Sequence, residues 1–107
     1  MQNKTKAQTF VGFAVKANKF RSGANTLATV KKAFLILVCR SASENTKKIA
    51  EKYAKKYGCP LLITEGTDLS ELACKQGIKI AAVTDRSLAN AIVLNAAPVF
   101  KIFNSES

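Results

Sequence analysis

Lys19, Arg21, Lys31 and Lys32 bracket a run of small residues, Ser22-Gly23-Ala24-Asn25-Thr26. Cations around a glycine turn are chemistry for anions. If a helix starts at Ala24, its first N–H groups lack carbonyl partners and attract phosphate. The Asn25 amide both donates and accepts, as a base edge or a sugar hydroxyl requires. Read more plainly, the segment is an ordinary helix start, with Ser22 as cap and Gly23 easing the turn.

Cys39-Arg40-Ser41-Ala42-Ser43 is the second candidate. Open α/β sheets bind ligands at the carboxyl ends of their strands. A cysteine beside an arginine and a helix start can be a low-pKa nucleophile. A cysteine-phosphatase loop, however, needs an arginine six residues on, where Asn45 stands, and the chain has no histidine. That removes the commonest general base and metal ligand. Cys39 reads instead as a buried strand residue. Glu65, Asp68, Glu71 and Asp85 make no acid–base or metal pattern, and Asp68 and Asp85 suit helix starts. Phe10, Phe13, Phe20, Phe34, Tyr53 and Tyr57 fall mostly at core spacing. Phe20 is the one candidate for a base-stacking platform. No catalytic group, metal or cofactor is expected, and the chain reads as a non-enzyme.

The net charge is +10, and its placement is informative. Eight bases precede the first acid, Glu44, whereas residues 58–107 carry more acids than bases. One-sided charge favours a polyanion, because released counterions drive association. No apolar run approaches the ~20 residues of a membrane span, and Gln8 and Lys16 interrupt any signal-peptide core. A membrane partner is therefore not expected. The cysteines, Cys39, Cys59 and Cys74, are odd in number and form no C-x-x-C. A disulfide framework or zinc site is not indicated, and a reducing cytoplasm is the expected home.

These residues need elements to position them. The 107 residues suit one domain, with a core over about residues 7–95. Residues 1–5 read as a loose start and 104–107 as a frayed tail. Apolar spacing from Ala7 to Asn18 predicts a helix with one buried stripe. Residues 19–22 form a connector or strand, and a second helix runs from about Ala24 to Lys32. There, Lys31 and Lys32 would suit the negative end of its dipole. AFLILVC (Ala33 to Cys39) suits a strand covered on both faces. Ser43 caps a helix from Glu44 to Tyr57, with Glu44–Lys48 and Glu51–Lys55 pairs, stopped by Gly58 and Pro60. Leu61 to Thr64 is a strand, Asp68 to Gln76 a helix with Asp68 and Glu71 in capping-box spacing. Ile78 to Thr84 is a further strand. A last helix runs from Asp85 or Ser87 to about Leu94, and Pro98 ends it. Strands alternate with helices, so the expected class is α/β, with helices on both faces of a small sheet.

Five blocks stand in order: V-G-F-A-x-K-A-N-K-F-x-S-G (Val11 to Gly23), AFLILVC, S-E-N-T-K-K (Ser43 to Lys48), L-S-E-L-A-C-K (Leu69 to Lys75) and A-A-V-T-D (Ala81 to Asp85). Together they resemble the bacterial YlxQ-type proteins. These belong to the ribosomal-protein superfamily of the large-subunit proteins L-seven-Ae and L-thirty-e. The resemblance spans roughly residues 8–94. It implies a three-layer α/β/α sandwich around a small, about four-stranded mixed sheet, and RNA binding, typically to kink-turns, in a ribosomal or translation setting. The family's G-x-N-E-x-x-K contact pattern falls on Gly23, Ala24, Asn25, Thr26 and Thr29. Thr26 stands where the family has glutamate and Thr29 where it has lysine. The loop after an L-G-x-x-x-G-K helix is the family's second contact. It carries over to Lys75, Lys79 and Ile80, although Ser70 and Cys74 replace both glycines. The expected partner is therefore RNA, with the ribosome as context. The alternative is a ribosome-associated protein-interaction module that has lost kink-turn recognition.

Overall fold

The computed structural model describes residues 5–65, 67–97 and 99–103. Its elements are α1 (Lys6–Lys16), β1 (Phe20–Ser22), α2 (Ala24–Leu27), β2 (Leu35–Val38), α3 (Glu44–Tyr57), β3 (Leu61–Thr64), α4 (Leu69–Ala73), β4 (Ile80–Val83), α5 (Arg86–Leu94) and β5 (Phe100–Ile102).

The apolar run becomes β2, the centre of a five-stranded mixed sheet of order β1-β4-β2-β3-β5. β2 and β3 are parallel, and the other pairings are antiparallel. Alternate side chains of a strand face opposite ways, so β2 feeds two cores. Leu35, Leu37 and Cys39 pack with Val11 of α1, Leu69 and Leu72 of α4 and Ile92 of α5. Ile36 and Val38 pack with Leu27 of α2 and with Ala50 and Ala54 of α3. Helices thus cover both faces, which is the expected α/β/α layering.

Several helix ends follow the sequence closely. Ser43 Oγ accepts from the Thr46 N–H at 3.1 Å, and Gly58 closes α3 in the left-handed conformation (φ 63°). Asp85 caps α5 by accepting from the Leu88 N–H at 2.8 Å. Pairing along α3 departs from expectation. Glu44 meets Lys47 at 3.9 Å rather than Lys48, and Glu51–Lys55 is not among the ion pairs of the described residues.

Four other expectations are corrected. The sheet has a fifth strand, β5. Its edge position buries Phe100 against the core and leaves Lys101 and Ile102 exposed. Thr5 is not part of a loose start, because its hydroxyl caps α1 by accepting from the Gln8 N–H at 3.1 Å. α4 is shorter than expected, since Cys74 turns left-handed (φ 56°) and ends it. Most consequentially, α2 spans four residues instead of nine. The Val30 N–H bonds back to Leu27 and the Thr29 hydroxyl donates to Thr26 O at 2.8 Å. Both close tight turns where a longer helix would have continued. The readings at residues 1–4, Pro98 and 104–107 lie outside the described residues.

Candidate nucleic-acid interface

The expected contact residues near Gly23 are local in sequence, and the β1–β4 ladder gives them a rigid base. β1 pairs antiparallel with β4 through Phe20–Val83, Arg21–Ala82 and Ser22–Ala81. At one end the Gly23 N–H donates to Ile80 O at 3.0 Å. At the other the Thr84 N–H donates to Lys19 O at 2.9 Å. Gly23 sits at φ 95°, ψ 141°, a conformation that a side chain resists. That kink swings the chain from the sheet edge into α2.

Lys19, Arg21, Thr26, Thr29, Lys31 and Lys32 line one open depression of about 550 Å³, together with Val30 and Thr84. All four cations are exposed. Because α2 ends at Leu27, Lys31 and Lys32 lie beyond the helix and owe nothing to its dipole. The same brevity weakens the expected phosphate site at the helix start. The Gly23 N–H is already spent on Ile80, and one turn has little dipole to offer. The anion-attracting field therefore comes from side-chain charge. The two ion pairs among the described residues, Lys47–Glu44 and Lys101–Glu65, involve none of these cations.

Two contacts organise this surface that sequence reasoning missed. Phe34 holds cations on its ring, with Lys32 Nζ 5.8 Å and the Arg86 guanidinium 5.4 Å from its centroid. Such contacts place a cation without neutralising it. Arg86 thus joins the basic surface from α5, more than fifty residues along the chain. The second contact is from α3. Tyr57 Oη donates to Val30 O at 2.6 Å and lies 3.1 Å from Leu27 O. It holds the turn that carries Lys31 and Lys32. Tyr53 stacks on Tyr57 at 6.1 Å with an 18° interplanar angle.

The remaining expected residues divide. Ala24 is half-buried and Asn25 exposed, both on the single turn of α2 beside the depression. Lys75 is exposed in the turn after α4. Lys79 Nζ donates to Ser41 Oγ at 2.7 Å, so it leans toward the turn after β2. Neither lysine lines the depression: the Gly23–Ile80 bond sets their loop at the Gly23 end of the β1–β4 ladder, opposite the end where Lys19 meets Thr84. Ile80 is corrected as a contact: its side chain is buried, packed with Ile36 and Val38 beneath α2 and α3. Phe20 is also buried, because β1 turns it toward the α1 side of the sheet. It offers no stacking platform. Phe13, expected in the core, is instead 50% exposed on α1.

Cys39 is buried at the end of β2. Its Sγ lies 3.1 Å from Ser41 Oγ and 3.7 Å from Asp68 Oδ1. Burial pushes the thiol up, but hydrogen bonding with Ser41, Thr64 and nearby backbone outweighs burial and leaves it below its ordinary value. Burial pushes Cys59 up to about 11.

No helix among the described residues is long and apolar enough to cross a membrane. No family model matches the sequence, and a search of curated proteins returns no match. The fold does recur among solved structures. A protein of unknown function from Bacillus halodurans C superposes with a TM-score of 0.76 at 17% identity, over 85% of this chain and 96% of that one. At that identity the likeness establishes a shared fold: an α/β domain with a five-stranded mixed sheet flanked by helices.

Proposed function

We propose that this protein is an RNA-binding module that grips structured RNA through the depression between β1 and the turn after α2. One observation carries the reading. Four exposed cations, Lys19 just before β1, Arg21 on it, and Lys31 and Lys32 in the post-α2 turn, converge on a single open depression, with no acid paired to any of them among the described residues. An open basic surface of this kind suits a sugar–phosphate backbone, which has dense charge and no need of a deep pocket. Lys19, Arg21, Lys31 and Lys32 contact phosphates. Asn25, exposed on α2 next to Thr26, contacts a base edge or sugar. The translation setting and the preference for kinked RNA rest on the resemblance to the YlxQ-type proteins. Binding of labelled kink-turn RNA and of a straight RNA duplex, measured over a range of salt, tests the proposal. Salt-dependent binding with preference for the kink-turn is expected. Absence of binding to either RNA at low salt overturns it.

A second reading has its own observation. Thr26 and Thr29 are uncharged, and the Thr29 hydroxyl is occupied by Thr26 O. Neither can make the charge-assisted contacts expected of a glutamate and a lysine. A ribosome-associated protein-interaction module that no longer selects kink-turns would look like this. Equal, weak affinity for kinked and straight RNA, together with co-sedimentation on ribosomes, is the result that favours it.

A further inference from the structure

We infer that the outer face of α3 is a second phosphate-contacting track for the same RNA, carried by Lys52 and Lys56. The inference rests on RNA binding at the α2 depression and extends that footprint across a neighbouring element. α3 has 14 residues, long enough to present a stripe. Lys48, Lys52 and Lys56 stand at i, i+4 and i+8, on one side of the helix. The lysines of α3 are not equivalent. Lys47 is half-buried and tied to Glu44 at 3.9 Å. Lys52 and Lys56 are exposed and are held over aromatic rings: Lys52 Nζ is 5.8 Å from the Tyr53 centroid, and Lys56 Nζ is 5.7 and 5.6 Å from those of Tyr53 and Tyr57. A tyrosine face orders an ammonium yet leaves its charge available to a phosphate, which a carboxylate does not.

The track is continuous with the first site. Lys56 lies over the ring of Tyr57, whose hydroxyl bonds Val30 O at 2.6 Å, and Val30 lines the depression. No acidic side chain enters that chain of contacts. The stripe carries point charges and no base-reading group, so its contribution is affinity without sequence preference. A solvated face that merely aids solubility would carry the same lysines, and the salt dependence of binding separates the two.

The test uses the full chain and a labelled straight RNA duplex, titrated between about 50 and 200 mM salt. K52Q/K56Q should fold as the parent does, since both side chains are exposed. It should lower the log–log salt slope by about 2, at roughly 0.9 per lost phosphate contact, and weaken binding several-fold at the low-salt end. K47Q should change the slope by less than half as much. A parental slope for K52Q/K56Q alongside a reduced slope for K31Q/K32Q overturns this inference and leaves RNA binding standing. An equal reduction by K47Q overturns it too, as a general charge effect. A parent chain that binds no duplex at the low-salt end overturns both.

Discussion

The Tyr57 hydroxyl donates to the Val30 carbonyl across 2.6 Å, joining α3 to a turn 27 residues earlier in the chain. The bond caps backbone that α2 leaves open when it stops after one turn. It also fixes the direction in which the chain presents Lys31 and Lys32.

Tyr57→Phe should therefore cost stability and affinity by different routes. Removing the hydroxyl forfeits about 1 kcal/mol of hydrogen bonding. A domain of this size would lose roughly 4–8 °C in Tm for that amount. RNA affinity should fall several-fold with the salt slope unchanged, because no phosphate contact is removed. Thermal melts and the salt titration read the two effects separately.

Gly23→Ala isolates the backbone. A Cβ there meets nothing nearer than Thr26 Oγ1 at 3.9 Å, so the penalty is conformational and not steric crowding. Holding alanine in that region costs about 1–3 kcal/mol. Calorimetry should show the loss of stability, and RNA affinity should drop because the β1–α2 corner is reshaped. A variant with parental Tm and affinity would mean that the corner tolerates another backbone conformation.

High pH should unclasp the same region. Burial, with lesser contributions from Tyr53 and Cys59, raises Tyr57 above its ordinary 10.0. Burial likewise lifts Cys59 from 9.0 to about 11. Both groups release protons more readily in the unfolded chain than in the fold. Their stabilising contribution is intact below the ordinary values and is lost as pH rises through the folded ones. For Cys59 that window is about 9 to 11. Melts across this range should show falling Tm, and Cys59→Ala should lessen the fall without abolishing it. Thiol labelling at neutral pH should reach exposed Cys74 first and buried Cys39 last.

The Thr26 and Thr29 positions admit a gain-of-function test. Both line the depression, so T26E/T29K introduces the charge pair of the resembled family at its rim. Charge-assisted hydrogen bonds of this kind contribute about 1.5–3 kcal/mol. Kink-turn preference over a straight duplex should rise about tenfold or more, at 1.4 kcal/mol per decade. An unchanged ratio would mean that these positions do not face a kinked strand.

Much of the fold was legible because its signals are local. The α3 pattern, with Ser43 before it and Gly58 after it, places both helix ends, and the apolar run at Ala33 to Cys39 marks the central strand. The end of α2 was not legible, because a tyrosine 27 residues later supplies part of its cap. β5 was missed because an edge strand of three residues shows too little alternation to stand out. The site divides the same way. Lys19 to Lys32 converge through a short local corner that residue types announce. Thr84 and Arg86 arrive through strand pairing, which carries no local mark. Ile80 went astray because a contact position transferred by resemblance took no account of which way the β4 side chain points.

In the proposed complex, charge at the β1–α2 corner contacts RNA phosphates. Charge reversal of Arg21 and Lys32 together, read as the salt slope of RNA binding, tests that contact most directly. Both side chains are exposed, so the double variant should fold and melt as the parent does. A log–log slope lower by about 2 and affinity reduced more than tenfold between about 50 and 200 mM salt are expected. An R21E/K32E variant that binds the same RNA with the parental affinity and slope would contradict that contact.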